Sequence, residues 1–353
     1  MHRAEPVDLR ISSADTAPPD WDDFVAAQPA ATLYQRAAWV HLVQDVFGQR
    51  VWFIQARSAD GQLRGALPLV RQRAPLLGSY LTSMPYFNYG GALAVDATAR
   101  EAVMAAARDL ARQQRCRYLE LRDTVPAGAD WLTRTDKVTM VLDLPADAAQ
   151  LDAALGAKLR SQARRAEREG AVTQVGGLEG LDAFYDVFCR NMHALGTPVY
   201  PRRFFAALLQ RFADCTALVV ISAGGLPRAA GLLVFDGLTA EIPWAACRED
   251  AKPLGFNMML YREALRLCIA RGCTRFDFGR TTPGSGTWRF KAQWGAQPVP
   301  LYWHRWEQQP APPAEAAAPG SGRLRQRVSQ AWSLLPLSLA NRLGPLISPG
   351  LPW

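Results

Sequence analysis

The chain is poor in the residues that build metal and redox centres. Only four of its 353 residues are histidine, at positions 2, 41, 193 and 304, and none pairs with another at ligand spacing. The six cysteines, at 116, 189, 215, 247, 268 and 273, include no C-x-x-C pair. That excludes zinc ribbons, His-rich metal centres and thioredoxin-like redox sites. The thiols are expected to be reduced and mostly buried as small apolar groups. No metal and no tightly held cofactor is expected. No run of 18 uncharged apolar residues occurs, which excludes a helix that spans a bilayer. The opening segment "MHRAEPVDLRISSADTAPPDW" has charges and prolines but no apolar stretch. No secretory leader is therefore expected, and the cytoplasm is the expected compartment. Also missing are a G-x-S-x-G elbow, a Walker loop and a G-x-G-x-x-G turn after a strand.

What is present is apolar bulk: 49% of residues are hydrophobic, enough to bury sizeable cores over a length that suits two domains. The net charge of +8 favours anionic partners, whether nucleic acid, a phosphorylated substrate or an anionic membrane. In the first half, "TLYQRAAWVHLVQDVFG" (32–48) reads as a helix ending at Gly48. "VWFIQAR" and "GALPLVRQR" read as strands joined by a turn at "SADGQL", and "YGGALAV" as a short strand. "TAREAVMAAARDLARQQR" is a long helix followed by the strand "CRYLELRDT". The second half repeats the order: strands "TALVVISA", "RAAGLLVFD" and "TAEIPWAA", helix "GFNMMLYREALRLCIARG", strand "CTRFDFGRT". "ARQQRCRYLELRDT" (111–124) aligns with "CIARGCTRFDFGRT" (268–281), which sets Glu120 against Asp277. Tandem duplication of one α/β unit follows. The expected domains are 1–150 and 151–306, with mixed, mostly antiparallel sheets.

"AALGAKLRSQARRAEREGAV" (153–172) reads as an uninterrupted helix closed by Gly170, with its basic part over 156–169. Arg160, Arg164 and Arg168 fall on one face, either as a solvated surface or as a rail for a polyanion. Residues 307–322 form a Pro/Ala/Gly linker. The tail, 323–353, carries four arginines, no acid, many leucines and two tryptophans. That composition suits the membrane interface, a partner or the protein's own surface. Prolines 336, 345, 349 and 352 are expected to break it into short pieces. Near the end of the second half, "FDFGRTTPGSGTWRFKAQWGA" (276–296) gathers Trp288, Arg289, Phe290, Lys291 and Trp294 around a glycine-rich loop. An ammonium beside apolar walls stabilises a phosphate or a developing oxyanion better than it does in water. Lys291 and Arg280 are the candidates for that role. Asp277, mid-strand, either holds an arginine or accepts a proton from an amine.

The stretches "MPYFNYGGAL", "LRSQARRAEREG", "NMHALGTPVYPRRFF", "FDFGRTTPGSGTWRFKAQWGAQPVPLYW" and "LPL…NRLGP" resemble the FemAB group, within it the type associated with PEP-CTERM/exosortase and exopolysaccharide systems. The resemblance spans about residues 20–306. It implies a tandem pair of GCN5-related N-acetyltransferase (GNAT) units, in agreement with the duplication. It also implies transfer of an acyl or aminoacyl group to an amine, from acyl-CoA or aminoacyl-tRNA. The implied acceptor is an anionic or lipid-linked glycan precursor of the cell envelope or an exopolysaccharide. The implied location is the inner face of the membrane, reached through the tail, with tRNA a possible further partner and no DNA. By the resemblance Lys291 contacts the diphosphate-bearing acceptor or the reacting carbonyl. Gly196-Thr197-Pro198 becomes a substrate-facing loop, with Asn191 and Tyr200 beside it. Tyr86, Asn88 and Tyr89, before two glycines, form either an acceptor pocket or strand-end packing; Trp244 and Trp288 are expected to line the substrate, and Arg160 and Arg164 to steer the anion. Acetyl-CoA-dependent members hold pyrophosphate on an R/Q-x-x-G-x-G/A turn at a helix start. Here that point reads "REDAKPLGFNMMLY", with Gly255 and Asn257 but not the full turn. Two other readings stay open: a non-catalytic binding module on the same fold, and an RNA-binding protein using the basic helix.

Overall fold

The computed structural model describes residues 9–74, 78–308 and 321–351. In chain order they form β1 (Arg10–Ala14), α1 (Trp21–Ala26), α2 (Ala37–Phe47), β2 (Arg50–Arg57), β3 (Leu63–Ala74), β4 (Gly78–Thr82) and β5 (Leu93–Ala94). Next come α3 (Ala97–Gln113), β6 (Tyr118–Asp123), β7 (Leu132–Arg134), β8 (Val138–Asp143), α4 (Ala148–Ala154), α5 (Ala157–Arg168), β9 (Val172–Gly176), α6 (Leu181–Ala194) and α7 (Arg202–Arg211). The rest is β10 (Thr216–Ala223), β11 (Leu226–Asp236), β12 (Thr239–Cys247), α8 (Phe256–Ala270), β13 (Arg275–Thr281), α9 (Gly286–Ala292), β14 (Gln297–Pro300), β15 (Tyr302–Glu307), α10 (Ser321–Ser333) and α11 (Leu337–Ile347).

Local chemistry explains the boundaries. The pattern over 32–48 gives a helix only from Ala37, because Thr32 and Gln35 close a capping box over one 3-10 turn first. Gly48 ends α2 in the left-handed region, at φ 66°. Asp96 caps α3 by accepting the Ala99 amide at 2.8 Å. Of "YGGALAV", only Leu93 and Ala94 join a sheet. The helix expected as uninterrupted over 153–172 is broken at Leu155–Gly156, where both residues are extended. Arg160 then donates to the carbonyls of Leu155 and Ala153, which satisfies the end of α4. The tail is not cut into short pieces: Pro336 starts α11 as its N-cap and Pro345 lies inside it.

Two compact units result. The first holds the residues up to Thr135, together with β15 and Gly350; the second holds Asp136–Val299 with α10 and α11. A single cut at residue 150 differs from that partition in β8 and β15. The first sheet runs β1-β2-β3-β4-β6-β15-β7, with β5 beside β3; the second runs β9-β10-β11-β12-β13-β8-β14. The two orders match position by position, except that β8 and β15 have changed places. Each sheet has one parallel pair, β4 with β6 and β12 with β13, after which the chain turns back. The first core lies under α3, with Trp52, Leu67, Leu81, Val103, Leu119 and Trp131 among its members. The second lies under α8, with Met140, Leu233, Leu260, Phe276 and Trp294. All six thiols are free, and only Cys215 is more than marginally exposed.

The tail packs on the second unit. Ser329 Oγ donates to the carbonyls of Leu195 and Gly196 at 3.1 and 3.0 Å, and His193 Nε2 bonds the Leu335 carbonyl at 2.8 Å. Gly344 approaches Val199 so closely that a Cβ there would sit 2.8 Å from its amide nitrogen. Residues 309–320, most of the expected linker, lie outside the described residues, as do residues 1–8 of the segment read for a leader and the last two of the tail.

A chain ending at residue 299 loses β15, the strand between β6 and β7. Its first unit is expected to lose its cooperative denaturant transition in circular dichroism, while a chain ending at 308 keeps both transitions. A full transition from the 299 chain would refute the exchanged-strand arrangement.

Candidate functional site

β12 and β13 pair in parallel over three residues only, and the last pair is Glu241 with Asp277. Both carboxylates are buried. β13 continues along β8, but its register shifts between Asp277 and Arg280, so the strand bulges. Gly279 allows this, at φ 79° in the left-handed region. Asp277 Oδ1 accepts the Gly279 amide at 2.7 Å and the Thr139 hydroxyl, and so fixes the bulge from within.

The bulge turns two consecutive carbonyls toward the next element. Lys291 Nζ donates to Gly279 O at 2.8 Å and to Arg280 O at 3.1 Å. The segment expected as a loop is the short helix α9, with Ser285 as its N-cap. Phe290 meets Tyr261 edge-on at 4.9 Å, and Trp294 lies over Phe278 and Tyr261. Burial pushes the Lys291 ammonium down to about 8; the carboxylates of Asp277 and Glu241 oppose the shift, and Arg280 adds to it. An ammonium has three donors. Two are used on backbone, and the third has no partner among the described residues. Beside α9, the hydroxyls of Thr281, Ser285 and Thr287 bond one another at 2.7 to 3.2 Å.

Glu241 is the member that sequence reasoning missed. Its signal is an acid inside the apolar strand "TAEIPWAA", the same signal that singled out Asp277 in "RFDFG".

The remaining expected residues form separate groups. Tyr200 and Trp244 are buried and meet through Phe204 and Phe205, with Trp244 edge-on to those rings at 5.5 and 5.3 Å. Asn191 and Thr197 flank the end of α6, where the Thr197 amide bonds the Met192 carbonyl. Trp288 is half-buried against the second core. In the first unit, the Tyr86 hydroxyl accepts from Gln49 Nε2 at 2.7 Å, and Asn88 and Tyr89 follow it, half-buried. Arg160 is engaged on the end of α4, whereas Lys158, Arg164, Arg165 and Arg168 are exposed on α5 with no ion pair among the described residues. They lie opposite the buried Leu159, Ala163 and Ala166.

At the start of α8, Gly255 has φ 87°, and a Cβ there would lie 2.0 Å from the Gln162 carbonyl of α5. The backbone of α5 therefore presses on the point where a pyrophosphate-binding turn would stand. Asn257 is half-buried in that first turn, and its amide bonds the Cys247 sulfur.

The first unit shows the same parallel pair, ending at Thr82 with Glu120. Arg122 stands at the position matching Gly279, and β6 runs beside β15 without a bulge. Its guanidinium bonds Glu120 at 3.2 Å and the Phe87 carbonyl at 2.6 Å, and lies 4.4 Å over the Trp303 ring.

This architecture is a tandem pair of GNAT-like units. Residues 153–292 match the sequence family described as the acetyltransferase (GNAT) domain. No match was found among curated protein sequences. Among solved structures, the chain is similar to FemX (TM-score 0.62, 14% identity, 87% of this chain and 99% of that one). It is also similar to L-PGS from Bacillus licheniformis (0.56, 13%, 89% and 97%). A tandem GNAT protein from the clavulanic acid biosynthesis pathway aligns as well (0.53, 13%, 86% and 100%). At these identities the likeness is one of fold.

The lowered value for Lys291 has a sign in stability. Its ordinary value is 10.5, so between about pH 8 and 10.5 the unfolded chain binds the proton that the folded chain has released. Stability from this group therefore rises with pH across that window and is flat below it. Denaturation at pH 7.5 and 9.5 should show wild type gaining on Lys291→Met; parallel curves would place the ammonium in water.

Proposed function

We propose that the protein is an N-acyltransferase of FemAB type, with its chemistry at Lys291 in the second unit. The donor is an acyl-CoA or an aminoacyl-tRNA, and the acceptor is an amine on an anionic or lipid-linked glycan precursor of the envelope or an exopolysaccharide. The reaction is placed at the inner membrane surface. The observation that carries this reading is the buried ammonium, bonded to the bulge carbonyls in the field of Glu241 and Asp277, within the stretch that matches the acetyltransferase domain.

In the transfer, the acceptor amine attacks the donor carbonyl carbon. The N–C bond forms, the C–O or C–S bond breaks, and the amine gives up a proton. The third N–H of Lys291 suits a developing oxyanion or a phosphate oxygen, and its cost of reorganisation is small because the other two donors are already fixed. The buried carboxylates of Glu241 and Asp277, the last pair of the parallel strands, are the candidates to take the proton. Arg280, on the same strand, adds positive charge. The exposed cations of α5 attract the anionic substrate at long range, an effect that added salt weakens.

Lys291→Ala is expected to lower turnover about 10²- to 10³-fold, the usual cost of one oxyanion donor, while the sheet and core of the second unit persist. Transfer by wild type should fall as pH rises through about 8, because the ammonium is the working form. Assays with charged tRNA and with acyl-CoA separate the donors. Full activity in the variant removes Lys291 from the reaction; ligand binding without turnover in wild type favours the binding module.

A further inference from the structure

α11 is turned inside out. Its buried residues are Ala340 and Gly344, followed four residues on by the buried Ser348 just past its end, with Leu337 half-buried on the same side. Its outward face is Leu339, Leu343, Leu346 and Ile347, at i, i+4, i+7 and i+8, exposed by 41, 36, 79 and 40%. A helix at the surface of a water-soluble domain has the opposite arrangement, with leucines inward and small or polar residues outward. Gly344 lets this small-residue face seat directly on the Val199 backbone, where a Cβ would lie 2.8 Å from the amide nitrogen. Apolar exposure continues beyond the helix: Leu334, between α10 and α11, is 84% exposed, and Val328 on α10 is 59% exposed.

Charge selects the occupant. Arg342 is exposed on the same side as the leucines, one turn from Leu339 and Leu346. From residue 316 to 353 the chain has four arginines and no aspartate or glutamate. A second copy would bring the same positive charge to the same patch. A surface that takes leucine side chains and offers negative charge beside them is a bilayer containing anionic lipid.

We propose that the outward face of α11 docks the protein on an anionic bilayer, with Leu339, Leu343, Leu346 and Ile347 in the acyl boundary and Arg342 on head groups. Among the described residues no helix is long and apolar enough to cross a membrane, so the contact is peripheral. This inference deepens the membrane part of the proposed function and is independent of the chemistry at Lys291.

The test is flotation of the full chain with vesicles of phosphatidylcholine, alone and mixed with phosphatidylglycerol. Wild type should float with the mixed vesicles and much less with phosphatidylcholine alone. L343E/L346E should weaken binding about tenfold or more, and Arg342→Glu by a smaller factor, with unchanged thermal unfolding. Gln62→Glu, exposed between β2 and β3 of the first unit, should float as wild type does. Lys291→Ala should also float, so a failure of the transfer reaction leaves this result standing. Wild type that stays unbound, equal flotation of L343E/L346E, or indifference to phosphatidylglycerol would overturn the proposal. So would a dimer, seen by light scattering, that L343E/L346E dissolves, since the face would then belong to a second copy.

Discussion

The second unit is organised around one contact, an ammonium buried on two backbone carbonyls. A buried charge is costly unless it is hydrogen-bonded and paired. Lys291 meets the first condition only because β13 bulges, and in place of a direct ion pair it has the field of Asp277 and Glu241. The bulge exists because position 279 is glycine and because Asp277 holds its amide from the inside. α9 depends on this contact in turn. Seven residues do not make a stable helix alone. This helix is fixed by the Ser285 cap, by Lys291 at its inner face, and by Phe290 and Trp294 against Tyr261. The chain Asp277–Gly279–Lys291 thus connects a strand, a bulge and a helix through three side-chain-to-backbone bonds.

The same reasoning explains why the two duplicated units differ in structure at this point. In the first, Arg122 occupies the place of Gly279. An arginine there keeps ordinary strand geometry, and its side chain fills the space beside Glu120, capped by the Trp303 ring. The Arg122 charge is thus met within the unit, by Glu120 and by the Trp303 ring. The match to the acetyltransferase domain falls on the second unit alone, over 153–292, which is where the glycine stands.

Much of this was legible in the sequence, for identifiable reasons. The duplication was readable because helix, cysteine, strand and acid recur in fixed order, and Glu120 and Asp277 do end equivalent parallel pairs. That Lys291 stands among apolar side chains was readable from Trp288, Phe290 and Trp294 close by in the sequence. The exchange of β8 and β15 was not, since strand alternation reports a face and not a partner. The bulge was not, because "DFGR" shows a glycine without its dihedral angle. Glu241 was hidden because its partner lies 36 positions away, in a strand that it meets over three residues. Arg160 looked like part of a rail with Arg164 and Arg168, but the break at Gly156 exposes carbonyls that only a long donor nearby can satisfy. The basic and apolar character of the tail is plain in its composition; that Ala340 and Gly344, and not its leucines, face the protein is not, because spacing alone does not say which face is covered.

The contact between α5 and α8 constrains how an anionic donor is held. Phosphate binding at a helix start needs free amides and room for backbone to approach the ligand. Here the Gln162 carbonyl presses on Gly255, so entry there requires moving a helix and not merely a side chain. α5 is itself anchored by Leu159, Ala163 and Ala166 and by the pairing of Glu167 with Arg262. The available cations, Lys158, Arg164, Arg165 and Arg168, lie on the far side of the same helix. Exposed charges of this kind contribute about 0.2–1 kcal/mol each and weaken with salt. In the proposed reaction, donor capture by this surface would be loose and electrostatic, and selection of the reacting group would fall to the rigid neighbourhood of Lys291.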